Sequence, residues 1–210
     1  METYSATDII RILQLKQLSL FTLTDFNQLF NISNQQTLYK KIARLEEKKI
    51  IQKLIKGKYR FLFRPVNDFL TANFLYQPSY VSLESALSFY GIITGFPYQI
   101  TSMAIKKTKT IEIDHQEFKY SRIANHLFWG YEKQEGFLLA EREKALLDYI
   151  YLGVKGLRTL SFDEMELSDI DTNKLVIYAK RFNNRKIMKI IHNIIWLPKN
   201  KPRPWQKNIK

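Results

Sequence analysis

Between Ser33 and Phe63 the sequence SNQQTLYKKIARLEEKKIIQKLIKGKYRFLF changes its period, and this change constrains the fold more than any other feature of the chain. Up to about Lys49, Leu38, Ile42 and Leu45 recur at the spacing of a helix with one buried face. From Ile50 onward the pattern becomes two short β-branched and aromatic runs, IIQKLI and YRFLF, parted by KGK. That reads as an antiparallel hairpin turning at Gly57. A helix that runs directly into a basic-tipped hairpin has few places to bury its apolar stripe, and the residues before it supply one.

Two helix starts precede Ser33. Ser5 stands three residues before Asp8, and Thr22 three before Asp25; both are capping-box spacings ahead of apolar residues at helical intervals. Ser33 with Gln36 marks a third start, after the short interruption NIS. Three short helices, the last two joined by a tight turn, followed by a hairpin, give the outline of a winged helix-turn-helix over residues 1–66. In that arrangement the third helix enters a major groove and the hairpin lies along the adjacent backbone.

The charge distribution agrees. The chain carries a net charge of +13, split as +6 in residues 1–70, −2 in 71–180 and +9 in 181–210. An anionic partner is expected, met by the ends of the chain and not by its middle. On the third helix, Gln36, Lys40 and Arg44 fall opposite the apolar stripe, with Thr37 and Lys41 on the flanks and Asn34 at the exposed first turn. Gln and Asn can pair bidentately with adenine and Arg with guanine. Gln36, Thr37, Lys40 and Arg44 are therefore the expected base readers. Lys41, with Lys56, Lys58 and Arg60 of the hairpin, is expected to meet phosphates. Arg181, Arg185, Lys186 and Lys189 either add backbone contacts or are solvated.

After Pro65 the composition shifts toward acidic and aromatic residues. Residues 67–198 read as a mixed α/β domain: a helix at 82–92, strands at YQITSMAI, KTIEID and EFKYSRI, a helix at AEREKALLDYIYLG and another from Thr172 to Trp196. In the helix at 140–153, Glu143 and Lys144 read as solvated and Ala145, Leu146 and Tyr149 as buried. Residues 199–210 form a basic, Pro-rich tail expected to be poorly ordered. The fold class is thus α+β.

Little in this second part suggests catalysis. The seven glycines show no phosphate-loop spacing, and His115, His126 and His192 fall in separate elements without a metal-ligand pattern. Asp169 and Asp171 have the carboxylate spacing of nucleotidyltransferases, but no Gly-Ser turn precedes them, and Asp171 or Thr172 fits better as a helix cap. The expectation is a binding or regulatory module with no cofactor and no metal, not an enzyme. No uncharged apolar run approaches the roughly 18–20 residues of a membrane span, no secretory signal pattern opens the chain, and there is no cysteine. A soluble, cytoplasmic protein that does not enter membranes is expected.

Two stretches carry a family resemblance. PSYVSLESALSFYGI (78–92) and LAEREKALLDYIYLG (139–153), with FWGY (128–131) between them, resemble the AbiEi-type antitoxins and related transcriptional regulators of type IV toxin–antitoxin, or abortive infection, systems. The shared pattern, roughly Y-[IV]-S-x-x-S-A-L-x-x-x-G and then E-K-A-L-L-D, falls on Tyr80, Val81, Ser82, Ser85, Ala86, Leu87 and Gly91, and on Glu143 to Asp148. One departure is Arg142, where relatives often carry proline. The resemblance implies a two-part phage-defence protein. Its winged helix would bind inverted repeats in its own promoter as double-stranded DNA, two copies per site, and repress the operon. Its second domain would counter a toxin similar to the AbiEii nucleotidyltransferases. Alternatives are a stand-alone regulator without antitoxin activity and a winged helix used for protein contacts.

Overall fold

The structure, a computed structural model, describes residues 4–95, 98–163 and 165–196. It is a mixed α+β chain in two compact units, Met1–Gln77 and Pro78–Lys210. The break falls after Gln77 and not after residue 66, because the segment following Pro65 forms a helix that clusters with the first unit.

In the first unit, helix α1 (Ala6–Leu15) is opened by the Ser5–Asp8 capping box, in which Asp8 takes the Ser5 N–H at 2.9 Å and returns its own N–H to the Ser5 hydroxyl at 3.2 Å. Strand β1 (Leu20–Thr22), too short to be expected from sequence, ends on the residue that caps helix α2 (Leu23–Phe30). There Thr22 and Asp25 form the second expected capping box. Asn31, in the left-handed region at φ 46, ends α2 and turns the chain into helix α3 (Gln35–Glu47).

Strands β2 (Ile51–Ile55) and β3 (Lys58–Phe61) form the expected hairpin, with Gly57 at φ 75 in its turn. β3 also pairs antiparallel with β1, giving a sheet of order β1-β3-β2. Alternation along β3 sends Tyr59 and Phe61 into a core built with Ile9, Leu13, Phe26, Phe30, Leu38, Ile42 and Leu45. This shared core gives the stripe of α3 its burial. The Leu23 N–H donates to the Gly57 carbonyl at 2.9 Å, tying the hairpin turn to the start of α2. Helix α4 (Asp68–Leu75), capped by Asn67, completes the unit.

The second unit is a six-stranded mixed sheet of order β6-β7-β5-β4-β9-β8. Its strands are β4 (Ser79–Val81), β5 (Gln99–Ala104), β6 (Lys109–Ile113), β7 (Gln116–Arg122), β8 (Tyr131–Gln134) and β9 (Phe137–Ala140). β4 runs antiparallel to β5 and parallel to β9, while β5 and β7 are parallel. The expected helix at 82–92 contracts to α5 (Glu84–Phe89), because Ser79–Val81 pairs as a strand and Leu83 takes φ 60 between them. Helix α6 (Arg142–Val154) is the central helix. The single helix expected from Thr172 to Trp196 is two, α7 (Thr172–Arg181) and α8 (Arg185–Trp196), broken where Asn183 adopts φ 46. The basic tail at 199–210 lies outside the described residues, and no helix among those described is long and apolar enough to cross a membrane.

Candidate nucleic-acid interface

The cap of α3 is Asn34, not Ser33: its Oδ1 accepts the Thr37 N–H at 3.0 Å, satisfying one of the open donors of the first turn. Asn34, placed by the sequence at the exposed first turn, is thus engaged as a helix cap. Past it, Leu38, Ile42 and Leu45 are buried, and Gln36, Thr37, Lys40 and Arg44 are all exposed. The four expected readers therefore lie along the open side of one helix. Glu46 turns toward the hairpin, where it accepts the Lys53 N–H at 3.1 Å.

The expected phosphate contacts divide differently. Lys56, in the hairpin turn, is exposed. Lys41 is drawn toward the start of the chain: its Nζ donates to the Tyr4 carbonyl at 2.8 Å and lies 6.0 Å from the Tyr4 ring centroid. Burial lowers its pKa, opposed by the charge of Asp8. Lys58 donates to the Phe74 carbonyl and, at 3.2 Å, to that of Leu75, so it closes the C-terminal end of α4, where a cation is favoured by the helix dipole. Arg60 donates through Nη2 to Gln52, its cross-strand neighbour on β2. Alternation along the strand put Lys58 and Arg60 on the side away from the core, but that side is occupied by local partners. Lys53, exposed on β2, is a further cation on the ribbon that the sequence reading passed over, although its alternation signal was present.

In the second unit the two sequence motifs converge. Tyr80 and Ser82, at β4, each donate to Asp148 Oδ2, at 2.9 and 2.8 Å. Lys144, one turn before Asp148 on α6, bonds to Asp148 Oδ1 and donates to the Tyr80 hydroxyl at 2.7 Å. All four residues are fully buried, which corrects the solvated reading of Lys144; Glu143 is buried as well. The Lys144 ammonium lies 5.1, 5.3 and 5.4 Å from the ring centroids of Tyr80, Trp129 and Phe182. Burial lowers the pKa of Lys144 and raises that of Asp148, with each partner's charge opposing. The Tyr80 hydroxyl is held well above its usual range by burial and then by Asp148. Gly130, at φ 72, lines this cluster: a Cβ there would meet Lys144 Cγ at 3.0 Å. The network is closed to solvent on all sides.

Three further acidic residues, Glu141, Glu143 and Asp171, are engaged too. Glu141 receives the Tyr178 hydroxyl at 2.6 Å and Lys174 at 3.1 Å, and Glu143 receives Lys174 at 3.1 Å and the Asp171 N–H at 3.1 Å. Against the pull of burial, these bonds raise the pKa of Lys174 above its ordinary value. Asp171 caps α7 through the N–H groups of Asn173 and Lys174. The described residues contain no group of three His, Asp or Glu able to hold a metal ion. Of the cations near the end of the chain, Arg181 stacks its guanidinium 3.7 Å from the Trp129 centroid, while Arg185, Lys186 and Lys189 are exposed.

No protein-family model matches this sequence, and none of the curated proteins compared with it is detectably similar.

Proposed function

We propose that the protein is a sequence-specific DNA-binding regulator whose first unit is a winged helix-turn-helix. The observation that carries this reading is α3: Gln36, Thr37, Lys40 and Arg44 stand exposed along one helix whose opposite face is locked into a three-helix and ribbon core. The order of helices and strands, with β1 completing the ribbon, supports the same reading. Bases are read by these four residues, and phosphate is met by Lys56 and Lys53 at the ribbon. Lys41, Lys58 and Arg60 hold the unit together.

The resemblance of the Tyr80–Gly91 and Glu143–Asp148 motifs to AbiEi-type antitoxins extends the proposal. In this reading the protein represses its own promoter at inverted repeats, two copies per site, and its second unit counters a nucleotidyltransferase toxin. The convergence of both motifs on one buried network supports a shared architecture for that unit.

The test is fluorescence anisotropy on the duplex upstream of the gene beside a scrambled duplex, at two salt concentrations. A preference of about 10³-fold, the low end for specific binders, is the expected result. Equal binding to both duplexes that salt abolishes would leave only the phosphate contribution and point instead to a winged helix that docks on an acidic protein. The antitoxin half is tested by growth rescue on co-expression with a nucleotidyltransferase encoded beside the gene.

A further inference from the structure

The outward side of α3 is not uniformly polar. Tyr39 is 49% exposed, and Ala43, one turn on, is exposed as well. The two share a strip along the helix. Gln36 and Lys40 border it on one side. The ribbon borders it on the other, since the Glu46 carboxylate accepts the Lys53 N–H at 3.1 Å. The core face of α3 is already filled by Leu38, Ile42 and Leu45, so Tyr39 has no part in it.

Major-groove chemistry matches this pairing of an amide with an apolar strip. Adenine presents N7 and the N6 amino group, which one glutamine side chain satisfies with two hydrogen bonds; thymine presents a C5 methyl, which apolar groups recognise. A tyrosine ring supplies that contact at low conformational cost while its hydroxyl stays wet.

We infer that α3 reads an A·T-rich step, with Gln36 on adenine and the Tyr39–Ala43 strip against the methyl groups of neighbouring thymines. This rests on the DNA-binding reading above and adds the base composition that the site selects.

The experiment has two arms. The full chain first selects duplexes from a randomised pool. The enriched duplex is then remade with deoxyuridine for thymidine, which deletes the methyl groups and leaves every hydrogen-bonding group unchanged. An enriched A·T step is expected, and the wild type should lose about fourfold in affinity for each methyl removed from contact. Tyr39→Ala and Tyr39→Gln should lose most of the difference between the thymine and uracil duplexes, leaving only the share of Ala43, and Tyr39→Phe should keep the wild-type difference. An enriched duplex without an A·T step, or a uracil penalty undiminished in both Tyr39 variants, overturns the inference while specific binding stands. No enrichment at all removes the DNA-binding reading and the inference with it. Because Tyr39 lies outside the core, both variants should keep the wild-type circular dichroism and melting curve.

Discussion

Helices α3 and α6 are both 13 residues long and both rich in charge, yet they dispose of that charge in opposite ways. α3 packs one stripe and leaves Lys40, Arg44 and Glu47 in water. α6 buries an unbroken run from Glu143 to Leu152, two carboxylates and an ammonium included. A helix covered on every side has no polar face, so its charges are stable only when paired and fully hydrogen-bonded. The same residue types therefore describe a surface open to a partner in one unit and an internal scaffold in the other.

The contrast breaks most sharply in α6. Asp148→Ala leaves the Lys144 ammonium buried and unpaired, and should destabilise the second unit by about 3–5 kcal/mol in chemical denaturation followed by circular dichroism. Replacing both partners with Lys144→Met and Asp148→Leu should cost less, because no ammonium is stranded, although the buried Tyr80 and Ser82 hydroxyls lose their acceptor; a loss equal to that of Asp148→Ala would mean that the unpaired ammonium is not what destabilises the single variant. Gly130→Ala forces a Cβ against Lys144 at positive φ and should cost about 1–3 kcal/mol by the same measurement.

In α3 the expectation reverses. Arg44→Ala should leave the melting temperature unchanged and cost about 1–3 kcal/mol of operator affinity in anisotropy titrations, with specificity relaxed at one base. An affinity within a factor of two of wild type would remove Arg44 from the reading face. Smaller effects separate the ribbon cations. Lys56→Ala should weaken all duplexes alike and flatten the salt dependence by about one contact. Lys58→Met should instead lower stability by about 0.3–1 kcal/mol through the end of α4 and leave the salt slope unchanged. The smallest effect belongs to Lys174. Its folded pKa is raised, so its contribution is fully present below its ordinary value of 10.5 and lost as pH climbs through the higher folded value. Wild type and Lys174→Met should therefore converge in thermal stability only at strongly alkaline pH.

Much of the first unit was legible because its signals are local. Both capping boxes, the stripe of α3 and the hairpin depend on residues within a few positions of each other. β1 was not legible, since three residues become a strand only by meeting β3. Lys58 and Arg60 show a subtler limit: alternation tells which side of a strand a residue faces, but not what already stands there. In α6, Lys144 and Asp148 have the spacing of a surface ion pair. Nothing nearby in sequence announces that Tyr80, from the distant strand β4, and Ser82, just after it, complete the set.

That set has a consequence for how the chain can vary. Tyr80, Ser82, Lys144 and Asp148 satisfy one another, and a slip of β4 by one residue would turn Tyr80 and Ser82 away and strand two charges in the interior. Substitution at any one position therefore leaves a buried partner unsatisfied, which is costly. Keeping these four residues together keeps one way of closing a sheet against a helix, and leaves open what that closed sheet is used for.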